Sequence, residues 1–166
     1  MKVKDIALIG MMSAIMITAQ IALGFLPNIE LVSLLIILYT LIFQWRALYI
    51  IYVFVAAEGL IYGFGLWFIN YLYVWTVLFI LVLLLRRLQS AFLWAAVSGL
   101  YGLSFGALCS IPYFLTGGVA SGFAYWVQGI PYDVLHGAGN FIVALILYKP
   151  LYSVLSKLRR KVEYIH

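Results

Sequence analysis

Charge is what this chain has least of: ten basic and five acidic residues in 166 positions, 9% of the total. Soluble domains carry about a quarter. With 67% apolar residues and a mean hydropathy of +1.14, a water-soluble core of this length would leave large apolar patches exposed. The composition is that of an integral membrane protein.

Other scarcities narrow the chemistry. The single cysteine, Cys109, excludes an internal disulfide and sits in an apolar run, where a thiol behaves as a small hydrophobe. One histidine and two acids within the apolar segments fall short of the three or four ligands usual for zinc, so no metal is expected, nor any cofactor. No Gly-x-x-x-x-Gly-Lys phosphate loop is present, so ATP hydrolysis is not expected in this chain. The formal charge of +5 is not clustered with interleaved aromatics on a polar face, which argues against a nucleic-acid partner. No small-residue cleavage site follows the N-terminal lysines, so the first apolar run reads as a span and not as a signal peptide.

Windows of about 19 residues predict an all-α integral membrane protein with six transmembrane helices in one domain over 1–166. The expected spans are 6–24, 29–43, 47–64, 67–85, 91–115 and 131–148, with a Gly/Ser-containing loop over 116–122 and an amphipathic basic tail over 149–166. Placing the N-terminus in the cytoplasm puts Lys2, Lys4, Arg46, Arg86, Arg87, Lys149, Lys157, Arg159, Arg160 and Lys161 on one side. By the positive-inside rule both termini are then cytoplasmic. The opposite face holds Glu30 and the aromatics Phe25, Trp67, Tyr71, Tyr113, Tyr125 and Trp126.

Small residues recur at four-residue steps: Gly10, Ala14, Thr18 and Ala22 on the first span, Gly59 and Gly63 on the third, Ser98, Gly102, Gly106 and Ser110 on the fifth. Such stripes let helices approach closely within the bundle. The first also suits docking on another membrane protein.

The most informative stretch is Gln128-Gly-Ile-Pro-Tyr-Asp-Val-Leu-His-Gly-Ala-Gly-Asn140. Asp133, His136 and Asn140, at i, i+3 and i+7, fall within roughly 60° of helical arc, and Pro131 fits a first turn. An ionised side chain at mid-bilayer costs about 2.5 to 3.5 kcal/mol, so Glu58 and Asp133 need a partner or a wet cavity. Both are expected in the outer half. The expectation is a polar, aromatic-rimmed pocket open to the outside over an apolar floor, with Glu58, Trp67, Asn70, Tyr113, Trp126, Asp133, His136 and Asn140 as substrate-binding candidates. Alternatives are Asp133 as a helix cap and His136 and Asn140 as interhelical hydrogen bonders. A small intramembrane enzyme using Asp133/His136 lacks a recognisable nucleophile. A channel needs polar groups across the full thickness, which leaves a solitary small-molecule permease as the other transport reading.

Over its whole length the chain resembles the substrate-binding S components of energy-coupling factor vitamin transporters. The resemblance rests on six spans in a chain of this size, the Pro27-Asn28-Ile29-Glu30-Leu31 connection, the Gly-rich spans and the Gly129–Asn140 signature. It implies a multi-pass subunit of a bacterial plasma membrane that captures a small vitamin or precursor at the outer face. It also implies association with a transmembrane coupling subunit and two ATPase subunits, which supply the energy. The family's Ala-x-x-x-Ala stripe on the first span contacts that coupling subunit; here Gly10, Ala14 and Thr18 stand in its place. An acid facing an aromatic cage suits hydroxymethylpyrimidine or a pyridoxine-like compound, because a carboxylate bonds both edges of adjacent N and N–H groups.

Overall fold

The computed structural model describes residues 3–164, with side chains through 161. Lys2 and positions 165 and 166 of the expected tail lie outside the described residues. Among the described residues the chain forms six helices and no strand: α1 (Val3–Leu23), α2 (Val32–Phe43), α3 (Arg46–Tyr62), α4 (Leu66–Leu84), α5 (Ala91–Cys109) and α6 (Ile111–Tyr164). Four of them, α1, α4, α5 and α6, are long and apolar enough to cross a membrane, which makes this a multi-pass helical membrane protein.

The bundle is organised around its shortest helix. α2 is apolar on every side, the pattern of a helix enclosed all round, and eleven of its 12 residues are buried. Its Thr40 hydroxyl is satisfied internally, donating to Ile36 O at 2.7 Å. Twelve residues rise roughly 18 Å, well short of the about 30 Å of bilayer hydrocarbon. The remaining depth at the N-terminal end of α2 is taken by the 24–31 connection and by a cavity beneath it. α2 packs on α4 and α6, α1 packs on α3, and α5 lies along α6.

The two ends of the bundle differ in charge. At the C-terminal end of α2, Arg159 donates from Nη1 to Ile42 O at 2.7 Å, a cation placed on the negative end of the helix dipole. Arg46 Nε lies 3.1 Å from Asp5 Oδ1 at this same end. The opposite, cavity end holds the 24–31 connection and the starts of α2 and α4.

The fifth and sixth spans depart from expectation. α5 stops at Cys109, and neither the 116–122 loop nor a helix start at Pro131 is present. Helix resumes at Ile111, the chain reverses at Gly118 (φ 76°, ψ −178°), and one helix then continues to Tyr164 with Pro131 and Pro150 inside it. Only glycine adopts that φ without cost, so the bend falls there. Stacked Tyr113 and Tyr125 rings, centroids 4.0 Å apart, clamp the two arms. The helical hairpin pairs backbone N–H and C=O groups that a Gly/Ser loop would leave without helical partners. The tail expected after Tyr148 continues this helix and turns Leu151, Leu155 and Leu158 toward the core.

The small-residue stripes face different ways. On α5, a Cβ at Gly102 would come within 2.9 Å of Gly137 Cα, so that stripe serves the α5–α6 contact. On α1 the buried residues are Leu8, Ile9, Met12, Ser13 and Met16, while Gly10, Ala14, Thr18 and Ala22 are exposed.

Candidate functional site

Glu30 ends the 24–31 connection and sits at the N-terminus of α2, where backbone N–H groups lack helical partners. Its Oε2 accepts the Ser33 N–H at 2.8 Å. Its Oε1 lies 3.3 Å from His136 Nε2 on α6. The polar chain continues through α2, because Asn140, one turn further along α6, donates from Nδ2 to Ser33 Oγ at 3.2 Å.

This pair closes one side of a cavity of about 210 Å³. Gln20 from α1, Asn28 from the connection, Tyr71 and Trp75 from α4 and Phe105 from α5 complete the polar and aromatic walls. The aromatic part has a simple local cause. Trp67, Tyr71 and Trp75 are spaced i, i+4, i+8 and so line one face of α4, each ring edge-on to the next, with centroid separations of 5.2 and 5.3 Å. Phe105 meets Trp75 at 5.5 Å and the His136 ring at 4.9 Å. The Trp75 indole Nε1 is buried and has no hydrogen-bond partner within the chain, although an indole N–H normally finds one when buried.

Of the eight residues expected to bind substrate, His136 lines the cavity, Asn140 is joined to it through Ser33, and Trp67 heads the ladder that reaches it. The others lie elsewhere. Asp133, one turn from His136, turns to α5, where Oδ1 accepts the Gly106 N–H at 2.9 Å and Oδ2 has no partner. It lies in mid-helix, so the helix-cap alternative does not hold. Asn70 sits 3.1 Å from the Tyr73 hydroxyl, which also bonds Leu108 O at 2.6 Å. Tyr113 and Trp126 belong to the hairpin around Gly118, Trp126 lying against Phe123. Glu58 is 2% exposed with Oε1 unpartnered, one turn along α3 from Phe54, whose ring stacks on Tyr71.

Glu30, Gln20, Tyr71, Trp75 and Phe105 were not among the expected site residues. The aromatic ladder was readable as an i, i+4, i+8 series, and the Glu30–Ser33 spacing is that of a helix-capping carboxylate. Nothing in the local sequence marks Phe105 or Gln20. Among the described residues, no three of His, Cys, Asp and Glu are placed to share a metal ion.

In comparisons with known proteins, the chain matches no family model, no curated protein and no solved structure.

Proposed function

We propose that this chain is the substrate-binding membrane subunit of an energy-coupling factor type importer and captures a small, flat, polar heterocycle. The observation that carries the reading is the Glu30–His136 pair closing a cavity walled by Tyr71, Trp75 and Phe105, at the end of the bundle away from the arginines. A carboxylate accepts paired N–H groups from a heterocycle edge, and aromatic faces hold its ring. The Trp75 ring adds an aromatic wall, and its N–H is a buried donor with no partner in the chain. A volume of about 210 Å³ lies below the roughly 300 to 1,000 Å³ of drug-sized sites, which favours a single ring with short substituents. Hydroxymethylpyrimidine or a pyridoxine-like compound fits that description.

The positive-inside rule assigns the Arg/Lys end to the cytoplasm, so the cavity opens outward and six helices, including short α2 with its connection, make up the membrane domain with both termini inside. Below the cavity the core of α2 runs through Leu34, Ile36, Ile37 and Leu38, all buried and apolar. That floor favours capture and hand-over above passage by a solitary permease. Energy then comes from partners, a transmembrane coupling subunit and two ATPases. The exposed Gly10, Ala14 and Thr18 stripe gives the coupling subunit a close-packing face. The enzyme alternative has less support, because Asp133 and His136 bond to different partners.

The test is calorimetric titration of the protein in nanodiscs with a panel of vitamins and precursors. One single-ring compound is expected to bind, and E30Q and H136A are expected to weaken it at least about tenfold, equivalent to about 1.4 kcal/mol. Binding that both variants leave intact, or none across the panel, overturns the assignment.

A further inference from the structure

The Arg/Lys end carries a larger cavity that the site above does not use. It spans about 430 Å³ between the C-terminal end of α2, the connection between α4 and α5, the start of α5 and the 148–152 stretch of α6, and its polar wall includes Arg86, Lys149, Gln44, Gln89 and Tyr152. Among the described residues no Asp or Glu lines it, so its wall holds two cations and no acid. A smaller cavity on one side shares Arg86 and Gln44, and another shares Leu41 and Tyr152 and adds Arg159 and Arg160. Three neighbouring cavities with basic walls thus surround the end of α2.

Two further features mark the place. Gln44, in the wall of the main cavity, has φ 53° and ψ −125°, a backbone state costly for a residue with a side chain. Such strain concentrates at binding sites. The floor is apolar, with Leu41, Leu88 and Ala91 inside, and Leu84 and Phe92, close in sequence to the lining residues Arg86 and Ala91, are 76% and 58% exposed. Cations above and hydrocarbon alongside match the two halves of a phospholipid. α5 also opens here with no side-chain cap at Ser90, which adds backbone N–H donors to the positive field.

We propose that this cavity binds the phosphate headgroup of an anionic membrane lipid. Arg86 and Lys149 contact the phosphate, Gln44 and Gln89 reach the glycerol or headgroup oxygens, and the acyl chains lie over Leu84 and Phe92. Basic pockets between transmembrane helices on the cytoplasmic side recognise headgroups in this way. The guanidinium adds two-pronged geometry that a lone ammonium lacks. A neutral protein surface pressed on this cavity would leave both cations without counter-charge, so lipid is the better match.

The experiment titrates the full chain, in neutral detergent, with phosphatidylglycerol or phosphatidylcholine and reads retained lipid by native mass spectrometry. Wild type is expected to retain phosphatidylglycerol in preference to phosphatidylcholine. R86Q and K149Q are each expected to cut retention at least about fivefold, roughly 1 kcal/mol by the same conversion, while R86K, which keeps the charge and loses the two-pronged geometry, falls between R86Q and wild type. K157Q, an equal charge change at a residue lining none of these cavities, is expected to retain lipid as wild type does. Melting temperatures without lipid identify any variant that fails to fold, in which case the remaining variants decide. Equal losses in K157Q would mean diffuse charge only and overturn the site. Displacement of the lipid by millimolar inorganic phosphate would make it a soluble-anion site. Normal lipid retention with loss of a co-purifying protein would make it a protein contact. Either result overturns the proposal.

Discussion

His136 Nε2 and Glu30 Oε1 lie 3.3 Å apart across 106 residues of chain, and the contact ties α6 to the head of α2. Glu30 uses its other oxygen on the first turn of α2, at the Ser33 N–H. One carboxylate thus holds the connection, the central helix and the last helix in register around the cavity. Removing either partner leaves the other charged or polar group buried and unpaired.

Trp75 tests what the cavity is for. Its ring is packed between Tyr71 and Phe105, but its N–H has no partner. Trp75→Phe keeps an aromatic ring and deletes the N–H. An unsatisfied buried donor costs about 1 to 3 kcal/mol, so without ligand the variant is expected to lose little stability, the smaller ring offset by the missing donor. If the N–H bonds ligand, affinity falls about fivefold to tenfold, the worth of about 1 to 1.4 kcal/mol. A melting temperature far below wild type with unchanged affinity would assign the indole to packing alone.

Much of the fold was readable because it depends on composition and spacing. Apolar length located the helices, the Arg/Lys pattern marked one end, and the i, i+3, i+7 series put His136 and Asn140 on one face. The partner of that face was not readable. Glu30 lies in a connection, and its meeting with His136 is a tertiary event across 106 residues that no local pattern encodes. The bend at Gly118 escaped for a different reason: several Gly and Ser residues over 116–122 read as a loop, whereas helix runs through all of them but Gly118, whose positive φ makes the turn. Asp133 was placed with His136 by its spacing, yet it turns to α5, where Gly106 leaves its backbone N–H uncovered.

That last contact gives a sharp steric prediction. A Cβ at Gly106 would run into the Asp133 carboxylate, which the existing geometry cannot accommodate. Gly106→Ala is expected to destabilise by about 1 to 3 kcal/mol, the usual cost of overpacking. In a D133A background the same change should cost much less, because the obstructing group is gone. Chemical denaturation of the four proteins of this cycle gives the coupling; additive penalties would mean that the two residues do not constrain each other.

The outward stripe of α1 separates folding from assembly. Ser13 and Ala14 are neighbours in sequence but face opposite ways: Ser13 is buried and donates to Ile9 O at 2.8 Å and Ile50 O at 3.0 Å, whereas Ala14 is exposed between Gly10 and Thr18. Ser13→Trp forces a large ring into the α1–α3 contact and is expected to unfold the protein. Ala14→Trp places the same ring on the outer surface, so melting temperature and ligand affinity should match wild type. If the stripe seats a coupling subunit, the ring blocks the close approach that small residues permit, and capture of the coupling subunit and its ATPases should drop below about a tenth of wild type, a loss above 1.4 kcal/mol. Capture that survives Ala14→Trp would move the contact to another face of the bundle and leave the Glu30–His136 cavity to be judged on ligand binding alone.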